Sequence, residues 1–473
     1  MNSYLFNRAL GSVTPNEFHV AQITRLVHNL EPAPGIRFSS RRAAAPTDRS
    51  EDDVAPLDQE LGATAEVFSH KSGVNCLAVD QFEGRYMISG GADPSIHLWD
   101  LESRGSELEH VHQSCASVSK SSHADAHTHA ITSLSIYPFD PVPSTIFSTA
   151  HDGTLKLSAL QSPSITPPGS TLLVAVGTSD RSVRLVDLRS GLSTQGLPGH
   201  NGAVLSVAWA PHRPHLLASA SVDNRVIIFD VRRGGHNSAI ATLDMDDPVG
   251  LVAPGTGSVP DSYLSRPAFS RHARAHNGPV TGVRWTSNGS HIVTTGQDSR
   301  IRVWDSATGA NTLVHFGPRV RNSSSSHLAE RAPLIVPKGS MNPGHETLLW
   351  PNFNEQDDRG EIFMFELREG TLVKRLRVPG LMAGSQNVRG RSSALSAGRI
   401  NDLVWRGNGA SGEGIELFSA HGDGTIRTWV SREPDGEPTE TEQAAQADRK
   451  RKRDVLDEIY QGFLGPGQPG LRI

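Results

Sequence analysis

The stretch HNGAVLSVAWAPHRPHLLASASVDNRVIIFDV, residues 200–231, decides how the chain folds. His200 leads into an apolar run, Val204 to Trp209, and a polar break separates this from a second run, Leu216 to Ser221. The pair Asp223-Asn224 follows, then a third run from Val226 to Val231. Short apolar, β-branched runs divided by turn formers specify antiparallel strands. An Asp suits the second turn because its carboxylate caps neighbouring backbone N–H groups.

The same arrangement recurs. An Asp followed six residues later by an aromatic residue, or a substitute, stands at Asp93…Trp99-Asp100, Asp152…Ser158, Asp180…Val186-Asp187, Asp223…Phe229-Asp230, Asp298…Trp304-Asp305 and Asp423…Trp429. His70, His129 and His200 each precede their Asp by 23 residues, and His276 precedes its own by 22. A unit of roughly 40 residues bounded by such His and Asp positions is a four-stranded blade of a WD-repeat β-propeller. In a full set, a His, a Ser or Thr of the second strand, the Asp and the Trp share one hydrogen-bond network. His276, Thr294 or Thr295, Asp298 and Trp304 are the expected set, with Thr295 taken as its hydroxyl member. Phe229 and Val186 cannot donate as an indole does.

Six anchors are visible, and the 125 residues between Asp298 and Asp423 leave room for a further blade. Within that gap Glu361 to Leu367 reads as a third strand that has lost its Asp turn. The expectation is an all-β, seven-bladed propeller over 61–431, since a closed ring leaves only short, protected edges. Ala63 to Phe68 is the expected outer strand of the last blade. The third blade is expected to be truncated near 158–171, because Asp152 and Asp180 are only 28 residues apart and Pro163, Pro167 and Pro168 fall between them.

Outside the ring, residues 1–30 read as a helix-loop-helix. Thr14-Pro15-Asn16-Glu17 has the form of a capping box, with Pro at the first helical position. Residues 31–60 read as a linker, and 245–272, 319–345 and 380–397 as Pro-, Gly- and Ser-rich loops. Residues 432–473 read as a disordered tail carrying Arg449-Lys450-Arg451-Lys452-Arg453, a compact basic run of the kind that directs nuclear import.

The chain has 473 residues, 45 of them Gly and 30 Pro, which suits a turn-rich β-fold. A net charge of −5 gives no global pull toward nucleic acid. Two cysteines, Cys76 and Cys115, build no disulfide framework, and Cys76 in its apolar run reads as buried filler. No secretory leader or membrane-length apolar run is read, so a soluble intracellular protein is expected. Phosphate-loop, metalloprotease and nucleophile-elbow motifs are missing. His110, His112, Cys115, His123, His127 and His129 lie within twenty residues. They lack the fixed ligand spacing of a zinc site, so no metal and no cofactor are expected.

Four stretches carry a more specific likeness: Glu83 to Gly91 with Asp93, Leu173 to Thr178, His276-Asn277-Gly278, and Asn311 to Val314. Over roughly residues 1–430 the order of segments resembles the Cockayne syndrome protein A family, substrate receptors in transcription-coupled nucleotide excision repair. The resemblance implies docking onto the damaged-DNA-binding protein 1 adaptor of cullin-4 RING ubiquitin ligases. Leu5, Phe6 and Arg8, with the helix near Arg25, would enter the adaptor's groove. Asp230 and Arg232 match the family's WD-x-Arg rim element with Phe229 in place of Trp, and Asp187 and Arg189 form a second copy. The implied protein is a nuclear, non-catalytic receptor whose substrates are repair and transcription proteins, without direct DNA or membrane contact. The alternative is a WD-repeat scaffold in chromatin or RNA-processing complexes with no ligase link.

Overall fold

A computed structural model describes residues 26–40, 68–80, 84–104, 109–137, 145–159, 173–188, 190–246, 273–318, 320–321, 331–336, 346–354, 359–378, 398–406 and 416–431. Two N-terminal strands, β1 (Leu30–Pro32) and β2 (Ile36–Ser39), precede seven blades. Blade one comprises β3 (Val74–Val79), β4 (Tyr86–Gly91), β5 (Ile96–Asp100) and β6 (His110–Val118). Blade two has β7 (Ile131–Ile136), β8 (Thr145–Ala150) and β9 (Leu155–Ala159), and blade three has β10 (Leu173–Gly177), β11 (Ser182–Asp187) and β12 (Leu192–Pro198). Blade four is β13 (Val204–Ala210), β14 (Arg213–Ser221), β15 (Val226–Asp230) and β16 (Ala239–Thr242). Blade five is β17 (Val280–Trp285), β18 (His291–Gly296) and β19 (Arg300–Asp305). Blade six is β20 (Leu334–Val336), β21 (Thr347–Asn354), β22 (Arg359–Glu366) and β23 (Leu372–Arg377). Blade seven is β24 (Ile400–Arg406), β25 (Glu416–His421) and β26 (Ile426–Ser431). The seven sheets are the expected seven-bladed, all-β propeller.

The core lies between blades, because each sheet buries both faces against its neighbours. Phe229 and Leu185 fill one such layer between blades three and four. Trp304 and Ile228 fill the next, between four and five. Trp99, Trp304, Trp350 and Trp429 are all fully buried, and losing one such ring costs about 3–5 kcal/mol.

The turns joining second to third strands hold residues in the left-handed region. Gly153 (φ 74°), Arg181 (66°), Asn224 (68°), Ser299 (58°) and Gly424 (87°) each directly follow the repeat Asp. Asn and Gly tolerate this conformation; Arg and Ser are strained by it.

The N-terminus corrects two expectations. The described first part of the segment read as a linker, residues 31–40, is built into the ring: β1 pairs antiparallel with β26, Leu30 opposite Ser431, and supplies the outer strand of blade seven. The strand that completes this blade is therefore Leu30–Pro32, not Ala63 to Phe68. Three residues on, β2 runs parallel to β6 as a fifth strand of blade one. Phe38 packs edge-on against Trp99 (5.3 Å) and Phe418 (6.0 Å) and stacks on His112 (4.8 Å), bridging blades one and seven. Lys374 of blade six donates to the carbonyls of His28 (2.9 Å) and Leu30 (3.0 Å). Residues 26–40 thus bracket three blades. The sequence hid this because strands this short carry almost no periodic signal.

Two further expectations change. The stretch 319–345, read as loop, contains β20, the inner strand of blade six. In the region of the expected truncation, blade two has no outer strand and blade three no inner strand among the described residues. Residues 160–172, which connect them, lie outside the described residues, as do 1–25 and 432–473.

Candidate docking surface

In blades one, two, four and five the network starts from a His in the loop entering the blade. In blade five, Trp304 Nε1 donates to Thr294 Oγ1 at 2.9 Å, and His276 meets Thr294 through Nε2 (2.9 Å) and Asp298 through Nδ1 (2.9 Å). The indole donor at one end and the carboxylate at the other set the proton order along the chain: Trp to Thr, Thr to His, His to Asp. The hydroxyl member is therefore Thr294, not Thr295. Strand alternation turns Thr295 to the opposite face, where its Oγ1 donates to the Arg331 carbonyl at 2.6 Å.

Blade one also holds a full set, with Trp99, Ser89, His70 and Asp93 joined at 2.9, 2.8 and 3.1 Å. Blade two has lost its Trp, and its His is not His129. His127 binds Ser148 (2.9 Å) and Asp152 (2.8 Å), whereas His129 meets only the neighbouring Thr128 among the hydrogen bonds described. The constant 23-residue spacing misled here, since the connection from β7 to β8 is two residues longer than that from β3 to β4. In blade seven the His comes from the end of β25: His421 Nε2 meets Ser419 Oγ at 2.9 Å, and Trp429 donates to that hydroxyl at 3.0 Å. His421 Nδ1 is buried without a partner.

Burial pushes the Asp93, Asp152 and Asp298 carboxyls up, but hydrogen bonds from His, Ser or Thr side chains and backbone N–H groups, with a contribution from Arg302 at Asp298, outweigh it. All three are held well below the carboxylate range. Burial, with the nearby charge of His70, lowers His97 to about 4. Burial also lowers His276, against the pull of Asp298, and lowers His421 to about 3.

At the opposite end of blade four lies the pair Asp230 and Arg232. Asp230, at the end of β15, is almost fully buried and holds Arg232 in a fork: Nε donates to Oδ1 at 3.0 Å and Nη2 to Oδ2 at 2.8 Å. The Asp230 carboxyl is held low, first by the Arg232 hydrogen bonds and against desolvation. The guanidinium remains 67% exposed. A bidentate pair fixes direction, so Arg232 is a preset cationic projection rather than a loose side chain. Asp187 ends β11 at the equivalent place in blade three. Arg189, Leu5, Phe6, Arg8, Arg25 and the run Arg449 to Arg453 lie outside the described residues.

The histidine-rich stretch is divided among separate roles. His112 accepts a place against Phe38 and hydrogen-bonds the Asp100 carbonyl at 3.0 Å, with its pKa lowered to about 4 by burial and by His110. His127 belongs to the blade-two network, and Cys115 is exposed. Among the described residues no group of three or more His, Cys, Asp or Glu side chains is arranged to hold a metal ion. A cavity of about 290 Å³ is lined by the inner strands β3, β7 and β24 together with Arg284 and Leu334.

A model of the WD domain, G-beta repeat, matches residues 63–100, 119–157, 191–230 and 269–305. These stretches end in blades one, two, four and five, where a His in the entry loop meets the turn Asp. No match ends in blades three, six and seven, where no such entry His is seen among the described residues. The chain is thus a WD-repeat β-propeller. It is 29% identical over 320 residues, 53% of this chain and 70% of the other, to the WD repeat-containing protein ATCSA-1 of Arabidopsis thaliana. It is also 28% identical over 273 residues to the ribosome biogenesis protein ytm1 of Aspergillus niger, covering 50% of this chain and 53% of that one. The ribosome biogenesis protein YTM1 of Meyerozyma guilliermondii is 28% identical over 249 residues, 42% of this chain and 52% of its own length. The chain therefore spans about half the length of these two ribosome biogenesis relatives. No catalytic domain is indicated by these matches.

Proposed function

We propose that this chain is a non-catalytic substrate receptor of a cullin-4 RING ubiquitin ligase, acting in the nucleus in transcription-coupled nucleotide excision repair. The observation that carries the reading is the forked Asp230–Arg232 pair, which holds an exposed guanidinium at the end of β15. The likeness to the Arabidopsis protein and the family resemblance of the four sequence stretches support it. Leu5, Phe6 and Arg8, with Arg25, would supply the apolar anchor for the adaptor, and Arg232, with Asp187 and Arg189 beside it, would fix its orientation. Arg449 to Arg453 would provide nuclear entry.

Adaptor capture by the full chain tests the reading. Phe6→Asp should abolish capture of the damaged-DNA-binding protein 1 adaptor. Arg232→Glu should weaken it, and more visibly at low salt, where surface charge is less screened. Capture of both variants at parental strength would sink the ligase reading. The similarity to ribosome biogenesis proteins supports a second reading, a scaffold in RNA processing. That reading expects co-purification with pre-ribosomal particles and none with the adaptor.

A further inference from the structure

The same end of blade four carries more cationic chemistry than the rim pair accounts for. The tight connection from β13 to β14 is Pro211-His212, Arg213 and Pro214 open β14, and all four residues are exposed. β14 runs back along β15, with Leu216 opposite Asp230 and the His215 carbonyl accepting from Val231 N at 2.9 Å. Two residues beyond that last contact on each strand stand Arg213 and Arg233. Arg232 and Arg233 are 67% and 48% exposed at their side chains.

The group is held in place. Arg232 is forked onto Asp230, and Arg233 Nε stands 3.7 Å from the same carboxylate. The Arg233 carbonyl accepts from Gln195 Nε2 of blade three at 2.7 Å, tying this turn to the neighbouring outer strand. On the other side, Gly289 of blade five lies against Pro211 and His212. Asp230 is 5% exposed at its side chain and already engaged, so it offers little charge to a ligand. Three guanidinium groups and two imidazoles are thus presented together on a protein whose net charge is −5.

We propose that this end of blade four, formed by His212, Arg213, His215, Arg232 and Arg233, is a docking surface for an acidic peptide segment of a protein partner. Guanidinium forks match carboxylates in pairs, and rigid presentation lowers the entropy lost on binding. The cluster is short and the overall charge negative, so it lacks the long basic track that a nucleic-acid backbone requires. The surface shares Arg232 with the proposed adaptor contact, whereas Arg213, His212 and Arg233 lie outside that pair, so the two readings can fail separately.

The test uses the full chain without adaptor and a fluorescein-labelled, Glu-rich decapeptide, followed by anisotropy. The peptide should bind, and binding should weaken as salt rises. Arg213→Glu combined with Arg233→Glu should reduce affinity at least tenfold, while Lys71→Glu at the opposite end of blade one leaves it unchanged. The milder pair Arg213→Gln and Arg233→Gln should give an intermediate loss and guards against misfolding. Arg232 is left in place, so adaptor capture can be scored separately on the same variants. Absence of peptide binding, or equal binding by the double variant, overturns the proposal. A single-stranded oligonucleotide held more tightly than the peptide, and lost with the same substitutions, would reassign the surface to nucleic acid. Tighter peptide binding after Glu433, Asp435, Glu437, Glu440 and Glu442 are changed to neutral amides would make the occupant the chain's own acidic stretch, and would overturn an external partner.

Discussion

Glu416, at the start of β25, stands between Arg104 of blade one (2.7 Å) and Arg406 of its own blade (2.8 Å). All three side chains are nearly buried, so this ion triad spans the place where the last blade meets the first. Replacing Glu416 with Ala removes the carboxylate that two nearly buried guanidinium groups share. The expected loss is about 3 kcal/mol, since removing one member of a buried pair strands the other. Urea unfolding followed by circular dichroism measures it. A loss below about 1 kcal/mol would mean that water reaches the arginines.

His127 and His129 separate two descriptions of blade two. His127→Ala removes the partner of Ser148 and Asp152 and should cost roughly 1–3 kcal/mol. His129→Ala, at an exposed position, should stay within about 0.5 kcal/mol of the parent. The reverse order in thermal melts would return the repeat position to His129.

The left-handed turn positions give a stabilising change and a destabilising one. Ser299→Gly should raise stability by roughly 0.5–1 kcal/mol, because φ is 58° there and the strain is released. Gly424→Ala should lower it, because φ is 87° and a Cβ would lie 2.7 Å from the carbonyls of His70 and Ser72. Differential scanning calorimetry reads both as opposite shifts in Tm.

Acid should weaken the ring in two stages. His97 and His112 have folded pKa values of about 4, below the ordinary 6.5, and His421 lies lower still. The unfolded chain therefore takes up protons first. Their contribution is complete above pH 6.5 and is lost as the pH falls from there to about 4, up to about 3 kcal/mol for each of His97 and His112. Below about pH 4 the carboxyls of Asp93, Asp152 and Asp298 are protonated in the unfolded chain while the fold holds them ionised, so their contribution is lost as the pH falls further. Tm should be flat from pH 8 to 7 and fall steadily below 6.5. A flat Tm down to pH 4.5 would contradict the buried, neutral state of these histidines.

The blade count was readable because His and Asp mark fixed points on a rigid repeat, and strand patterns such as Val204 to Trp209 lie between them. Glu361 to Leu367 was readable without its Asp, since seven alternating and apolar residues suffice for a third strand. Thr294 against Thr295 was not, because adjacent hydroxyls differ only in which face the strand turns inward. His127 was missed because loop length varies while the network's geometry does not. Arg232 is legible in the sequence as part of an Asp-x-Arg element, but the role of Asp230 in aiming it needed coordinates. Leu30–Pro32 and Ile36–Ser39 were invisible because their strand character is imposed by distant partners rather than by local sequence.

The pairing of Leu30 with Ser431 also sets a timetable. Synthesis proceeds from the N-terminus at about 5–20 residues per second, so β1 emerges some 20–80 s before the strand it pairs with. During that interval Val27, Leu30 and Phe38, all buried at the end, have no finished surface to cover them. β1 is thus among the last strands to find its place. A nascent chain must therefore be kept from misassociation through most of this interval, and a premature stop anywhere before β26 leaves β1 without its partner.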